Sequence, residues 1–384
     1  MKKLIRITTV PISLEKLLEN QASFFKSYYE VTLVSAQKDQ LGVVAKDQGV
    51  AFFPLEITRK ITPLQDFRSL IKLVRFLLHE KPHFVHSHTP KAGIIGMLAA
   101  FIARVPVRMH TVAGLPLMEA KGLKRNLLNL VERITYFCAT HVYPNSKGLE
   151  DFILQNKFCP PQKIKILGEG SSNGIDTTYF DPANVSKNQQ TALKKELLIK
   201  PTDFVFCFVG RLVKDKGTNE LIEAFVAISE KNSAVKLILV GHTEAHLDPL
   251  LPKTLHSIEF NENIIEVGFQ KDIRPYLVIS DVLAFPSYRE GFPNVVLQAG
   301  AMGLPCIVSN INGCNEIIND AENGLIIPTK NSQILQQKME LLLENPDGLK
   351  FTKHEIRERI KNKYERQIFW NLLLAEYQSL EKNV

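Results

Sequence analysis

Short runs of apolar, β-branched residues alternate with longer helical patterns along almost the whole chain, and no other feature constrains its fold as strongly. Brief apolar runs bounded by turn-forming residues read as strands buried on both faces, and intervening amphipathic segments read as crossover helices. In the first half such runs fall at 4–10, 31–35, 51–55, 84–87, 105–111, 141–144 and 163–167. A second series falls at 204–209, 236–240, 264–267, 282–285, 306–309 and 325–327. Helical patterns such as 66–79 and 218–230 separate them. Strand–helix alternation demands parallel sheets with both faces covered, so the chain reads as two doubly wound α/β domains facing a cleft. Ligands are then expected near the carboxyl ends of strands.

The expected organisation is a first Rossmann-like domain over 1–180, a polar linking stretch over 181–203 and a second Rossmann-like domain over 204–350. One long charged helical pattern follows over 351–380, carrying Trp370 and Tyr377, within a terminal segment 351–384 expected to cross back to the first domain. Five cysteines without a C-x-x-C pair point to a reducing compartment rather than a disulfide framework. The opening "MKKLIRITTVPIS" reads as a first strand rather than a signal peptide, because Arg6, Thr8 and Thr9 interrupt its apolar run. The longest apolar run, 92–103, is too short for a membrane span, which needs about 20 residues. Charge is unevenly placed: residues 1–180 hold 24 Lys and Arg against 14 Asp and Glu, a balance of +10, and the remainder balances at −3. A basic first half suits an anionic partner or simply a soluble surface.

The stretch "YREGFPNVVLQAGAMGLP", 288–305, raises the functional question. Pro293 is tolerated near a helix start because it lacks an N–H that would be orphaned there, and Gly291 lets backbone come close to a partner. A carboxylate at Glu290 beside open first-turn amides suggests a polar ligand bearing phosphates. In "FVFCFVGRLVKDKG" a strand runs into Gly210, Arg211, Lys216 and Gly217, which places two cations at a strand's carboxyl end.

Other patterns lead nowhere. "GEGSSNG", 168–174, almost spells the dinucleotide fingerprint, but its third glycine is one place late and no amphipathic helix follows. "HTEAH", 242–246, has the histidine spacing of a zinc-protease helix with its glutamate misplaced. His86 and His88 fall on one face of a strand without carboxylate or cysteine ligands at suitable spacing, and read as polar groups at its open end. Neither a phosphate-binding G-x-x-x-x-G-K-[ST] loop nor a D-x-D metal motif occurs.

Taken together, "FVFCFVGRLVKDKG", "IIEVGFQKDIRPYLVISDVLAFPSYREGFPNVVLQAGAMGLPCIVSN", "VHSHTPKAGIIGMLAA" and "NGID" resemble the family 4 glycosyltransferases, above all bacterial enzymes of capsular and surface-polysaccharide assembly. That resemblance covers nearly the whole chain. It implies the two-domain GT-B fold and retention of configuration at the transferred sugar, either a hexose or an N-acetylhexosamine. No cofactor or metal is implied. Arg211 and Lys216 match the pair that holds the donor's diphosphate, and Asn294 and Val295 offer amides to the same phosphates. Glu290 matches the acid that faces the donor sugar, Gly268 and Phe269 the loop near the base, and Gly210, Gly291, Phe292 and Pro293 the surrounding backbone. Three departures stand out. Gln298 occupies the place of a second glutamate that accepts from the ribose, keeping an acceptor but losing its charge. Ala113 stands where many relatives carry a histidine, and His110 lies three residues earlier. His110 is then either a group approaching the sugar or a satisfied strand-end histidine. The loop after the first strand also lacks the paired glycines often found there.

The resemblance implies a nucleotide-sugar donor, uridine-linked by expectation, and a saccharide acceptor carried on a polyprenyl diphosphate at the cytoplasmic face of the inner membrane, with no nucleic-acid partner. The segment "AKGLKRNLLNLVERITYF", 120–137, sets Leu123, Leu127, Val131 and Ile134 at helical spacing among Lys121, Lys124, Arg125 and Arg133. This helix either packs its stripe on its own domain or leans on anionic lipid as a peripheral contact. Two rival functions share the fold: a nucleotide-sugar 2-epimerase, and a non-catalytic relative that binds sugar nucleotides.

Overall fold

A computed structural model describes residues 1–58, 60–118, 120–244 and 248–382. The chain divides into two compact units, Met1–Gly174 with Gln367–Val384, and Ile175–Arg366. The first holds six parallel strands: β1 (Lys3–Ile7), β2 (Glu30–Ser35), β3 (Ala51–Pro54), β4 (Phe84–Ser87), β5 (Val107–Val112) and β6 (His141–Pro144), in the order β3-β2-β1-β4-β5-β6. The second holds β7 (Phe204–Val209), β8 (Val235–Val240), β9 (Ile264–Gly268), β10 (Val282–Phe285), β11 (Cys306–Ser309) and β12 (Gly324–Ile327), in the order β12-β11-β10-β7-β8-β9. Both sheets are doubly wound, as the buried apolar runs require.

Alternation along β1 sends Ile5 and Ile7 to one face of the first sheet, where they join Val85, Met97 and Val142. Leu4 faces the other side with Phe25, Tyr29, Phe84, Leu373 and Tyr377. The last helix, Arg366–Lys382, lies on that second face through Phe369, Leu373, Tyr377 and Leu380, all buried at helical spacing. Burying each such side chain contributes roughly 1.5–3 kcal/mol.

Two expectations about secondary structure need correction. The single helical pattern over 351–380 is two helices, Lys353–Tyr364 and Arg366–Lys382. Glu365 between them is extended because the backbone there bridges Ile175: Ile175 N–H donates to Tyr364 O at 2.8 Å and Arg366 N–H donates to Ile175 O at 2.9 Å. The expected strand at 163–167 is reduced to a single bridge between Val142 and Ile164, because Pro160 and Pro161 start a one-turn 3-10 helix there. The polar stretch 181–203 lies inside the second unit, where Ser186 and Gln189 form a capping box on the solvent-facing helix Lys187–Glu196.

Close backbone approach fixes the second unit around its strand ends. Gly217 adopts φ +71°, and a Cβ there would stand 2.0 Å from Pro286 O. Gly313 adopts φ +72°, and a Cβ would stand 2.5 Å from Gly291 O. By contrast Gly268, at φ +67°, has open space where a Cβ would go. Gly268→Ala should therefore cost backbone strain alone, about 1 kcal/mol. Gly217→Ala should cost clearly more, because Pro286 must also move. Equal urea-unfolding penalties for the two variants would refute the close approach. In the first unit, His86 Nδ1 shares a 2.6 Å hydrogen bond with the Tyr377 hydroxyl in the core. Tyr377→Phe should lower unfolding stability by about 1–3 kcal/mol, since a buried partner is left unpaired. A loss within error in denaturant titration would contradict this.

Candidate functional site

The second sheet reverses its strand order between β7 and β10, which makes their carboxyl ends the place where a doubly wound sheet opens a crevice. The loop leaving β7 carries Gly210, Arg211 and the one-turn 3-10 helix Lys214–Lys216. The loop leaving β10 carries Ser287, Glu290 and the run Gly291-Phe292-Pro293 that opens the helix Asn294–Ala301. The two loops are tied by backbone, with Tyr288 N–H donating to Asp215 O at 2.9 Å, and by Arg289 Nη2 donating to Asp215 Oδ2 at 2.8 Å.

Between them Lys216 Nζ donates to Glu290 Oε1, and Ser287 Oγ donates to the same oxygen at 2.9 Å. The Lys216 and Glu290 side chains are only 18% and 16% exposed, so removing either charge leaves the other poorly solvated. Arg211 is more open, and its Nη1 donates to Glu244 Oε2 at 2.6 Å. Both cations at this strand end are therefore held by carboxylates.

Pro293 is the N-cap of Asn294–Ala301 and offers no side-chain acceptor, so the helix begins without the usual capping oxygen. Its position is set from below and behind. Phe292 is buried against the Tyr364 ring at 5.5 Å, and Arg357 donates to Ala301 O at the far end of the helix while also holding Phe180 O at 2.7 Å. Asn294 and Val295 are half-buried in the first turn, and Gln298 is half-buried one turn further. Gly268 ends β9, two strands from β7, and the adjoining Phe269 is 65% exposed beside His242.

Glu290, Arg211, Lys216, Gly210, Gly291, Phe292, Pro293, Asn294 and Val295 thus gather at neighbouring strand ends of one unit. His110 belongs to the other unit. It lies on β5 of the first unit, buried, with Nδ1 bonded to Ser87 Oγ at 2.8 Å and the ring against Gly93 of the helix Pro90–Ile102. Burial pushes its pKa down to about 4, so it is neutral at ordinary pH. This is the environment of a satisfied strand-end histidine.

His86 lies within β4 and His88 just past its carboxyl end, and neither is exposed. Both are buried, His86 between Tyr377 and Thr111 and His88 against Arg6. The helix Gly122–Cys138 inverts the simpler packing account. Leu123, Leu127 and Ile134 are exposed, while Glu132, Thr135, Tyr136 and Cys138 face inward.

Sequence reasoning missed Ser287 and Glu244. Ser287 sits three residues before Glu290 in the longest quoted stretch, so its spacing was available as a signal. Glu244 was passed over within "HTEAH", whose His246 lies outside the described residues. Only the fold brings Glu244, after β8, to Arg211.

The chain matches the family described as Glycosyl transferases group 1 over residues 189–367 and a Glycosyl transferase 4-like domain over 15–170. It is 33% identical over 382 residues to a capsular polysaccharide biosynthesis glycosyltransferase of Staphylococcus aureus, covering 99% of this chain and 98% of that one. It is 32% identical over 306 residues to an Escherichia coli UDP-Gal:alpha-D-GlcNAc-diphosphoundecaprenol alpha-1,3-galactosyltransferase, covering 78% and 76% of the two chains. The Anabaena HepE structure in complex with UDP and glucose superposes with a TM-score of 0.82 at 17% identity, covering 99% of this chain and 100% of that one, a likeness of GT-B fold. Two matched domains and a full-length relative place the chain in the group 1 glycosyltransferase family, with the GT-B fold.

Proposed function

We propose that the protein transfers a sugar from a uridine diphosphate sugar to a saccharide carried on a polyprenyl diphosphate, with retention of configuration and without a metal. The observation that carries this reading is the gathering of Arg211, Lys216 and the uncapped start of Asn294–Ala301 at the β7/β10 reversal. As the glycosidic bond breaks, charge grows on the departing diphosphate, and fixed donors aimed at it stabilise the transition state. Arg211 exchanges Glu244 for phosphate oxygens, and Lys216 contributes its remaining N–H donors. Both bonds to Glu290 fall on Oε1, so Oε2 accepts from a donor-sugar hydroxyl while Lys216 and Ser287 hold the carboxylate in place. Gln298 accepts from the ribose through its amide oxygen. Metal independence rests on Arg211 and Lys216, whose fixed charges can meet the leaving group without an ion. Retention is supported by the family 4 resemblance, with the departing phosphate taking the acceptor proton on the same face.

The E. coli relative's name specifies a diphosphoundecaprenol acceptor, and the first unit has a surface suited to a lipid-borne substrate. The helices Pro63–Glu80 and Gly122–Cys138 both pack on Pro90–Ile102. Together they expose Leu64, Phe67, Leu78, Phe101, Leu123 and Phe137. Arg68, Lys72, Lys121 and Lys124 accompany them, so the face combines apolar contact with attraction to anionic headgroups. Among the described residues no helix is long and apolar enough to cross a membrane. A peripheral contact at the cytoplasmic face fits this surface.

With labelled uridine diphosphate sugars and extracted lipid-linked saccharides, Arg211→Ala should lower kcat by about 10²–10³. EDTA should leave the wild-type rate unchanged. Near-normal turnover of the variant, or loss of activity restored by magnesium, would overturn the leaving-group assignment. Sugar-nucleotide isomerisation without acceptor would favour the epimerase reading instead. Co-sedimentation with vesicles containing phosphatidylglycerol should exceed that with neutral vesicles, fall with salt, and be lost in the double variant Leu123→Asp, Leu127→Asp. Undiminished binding by that variant would remove this helix from the contact.

A further inference from the structure

The first sheet also reverses its order, between β1 and β4, and a buried cation stands at that reversal. Arg6 on β1 is 1% exposed. It is in register with His86, yet its Nη2 lies 3.0 Å from Nε2 of His88, two residues further along the chain. The side chain therefore leans towards the carboxyl ends of the strands, where doubly wound sheets take up ligands. Arginine only donates, so His88 Nε2 accepts and the His88 proton sits on Nδ1. Arg6 Nε, Arg6 Nη1 and His88 Nδ1 are then three buried donor atoms without an acceptor among the described residues.

No carboxylate among the described residues pairs with this guanidinium, which lies 5.6 Å from the Phe25 ring and close to His86 and Tyr377. Burial and the Arg6 charge hold His86 and His88 well below the usual histidine range, so the cluster carries one positive charge. Buried charges in folded proteins are normally paired, because an uncompensated one costs several kcal/mol. Gln21 stands one helical turn before Phe25 and is itself fully buried, with Oε1 unpaired. Asn145, just past β6, is buried with Oδ1 unpaired, and both amides donate to Ser172, at 3.1 Å and 3.3 Å. Orphaned donors around a charge call for an anion. The orphaned amide oxygens of Gln21 and Asn145, drawn together on Ser172, call for hydroxyls.

We propose that Arg6 and His88 form a binding site for a phosphate oxyanion within the first unit, and that Gln21 and Asn145 accept hydroxyls from the sugar attached to it. The chemical class is a sugar phosphate or sugar diphosphate. This deepens the reading above, on which the acceptor bears a diphosphate, and it names residues outside the donor site. An arginine left unpaired in the free protein is a stability cost retained for a ligand's sake.

The test follows thermal unfolding of the full chain with inorganic pyrophosphate, and with a hexosyl diphosphate bearing a short alkyl chain, each with and without saturating uridine diphosphate. In the wild type both probes should raise the midpoint further when uridine diphosphate is already bound. A larger response to the sugar diphosphate identifies the acceptor headgroup as the ligand, and equal responses identify the free anion. Arg6→Met should be at least as stable as wild type without ligand, keep the uridine diphosphate shift, and bind either probe at least tenfold more weakly. Arg6→Lys keeps the charge but loses the fork, and should also bind at least tenfold more weakly should the methionine variant fold poorly. No probe response in the wild type, or an undiminished one in either variant, overturns the proposal. Loss of only the uridine diphosphate shift in the wild type counts against the donor reading, not against this site.

Discussion

The order of strands in the second sheet reverses between β7 and β10, and the proposed chemistry depends on that reversal. Consecutive loops on either side of such a point diverge, so two strand ends face an opening that no crossover helix fills. The sequence loads this point with a lysine from one loop and a glutamate from the other, and joins them in a pair that is little exposed. Moving either loop would break that pair and leave a charge poorly solvated. Gly217 allows the backbone approach that brings both loops so close, and Gly313 lets the loop after β11 close on Gly291. The uncapped helix start is held in register by Phe292 beneath it and by Arg357 at its other end.

Electrostatic strategy differs between the two units. In the second, each cation of the candidate site has a carboxylate partner, Glu244 for Arg211 and Glu290 for Lys216, so its charge is satisfied without ligand. Phosphate can take the place of the more open Glu244 on Arg211, while Lys216 keeps Glu290 and has further N–H donors to offer. In the first, Arg6 is buried with a neutral histidine and an aromatic ring as neighbours. The two arrangements suit different events. In the proposed reaction the paired cations meet the transient growth of charge on a leaving group, and buried Arg6 the standing charge of a bound substrate.

Much of the fold was legible because parallel sheets buried on both faces write uninterrupted apolar runs, as in 204–209 and 306–309. The strand expected at 163–167 misled because Pro160 and Pro161 bend the chain just ahead of it, and local apolarity does not report a single bridge. The break at Glu365 was invisible for a related reason. The residue has good helix propensity, and only its pairing with Ile175, nearly two hundred positions away, draws it out of the helix. At the candidate site, Arg211, Lys216 and Glu290 could be picked out because their neighbours form a dense motif. Glu244 could not, since its meaning lies in a contact between loops. The helix Gly122–Cys138 shows the limit of periodicity. Its spacing revealed an apolar stripe, but not that the stripe faces outward while Glu132 faces in.

The account stands most directly on where a nucleotide sits. A crystal structure with uridine diphosphate should show the β-phosphate within hydrogen-bonding distance of Arg211 and Lys216, with the first-turn amides at Asn294 and Val295 facing its oxygens and no ion between them. A nucleotide bound away from the β7/β10 reversal, or a diphosphate bridged to the protein by a metal, would contradict it.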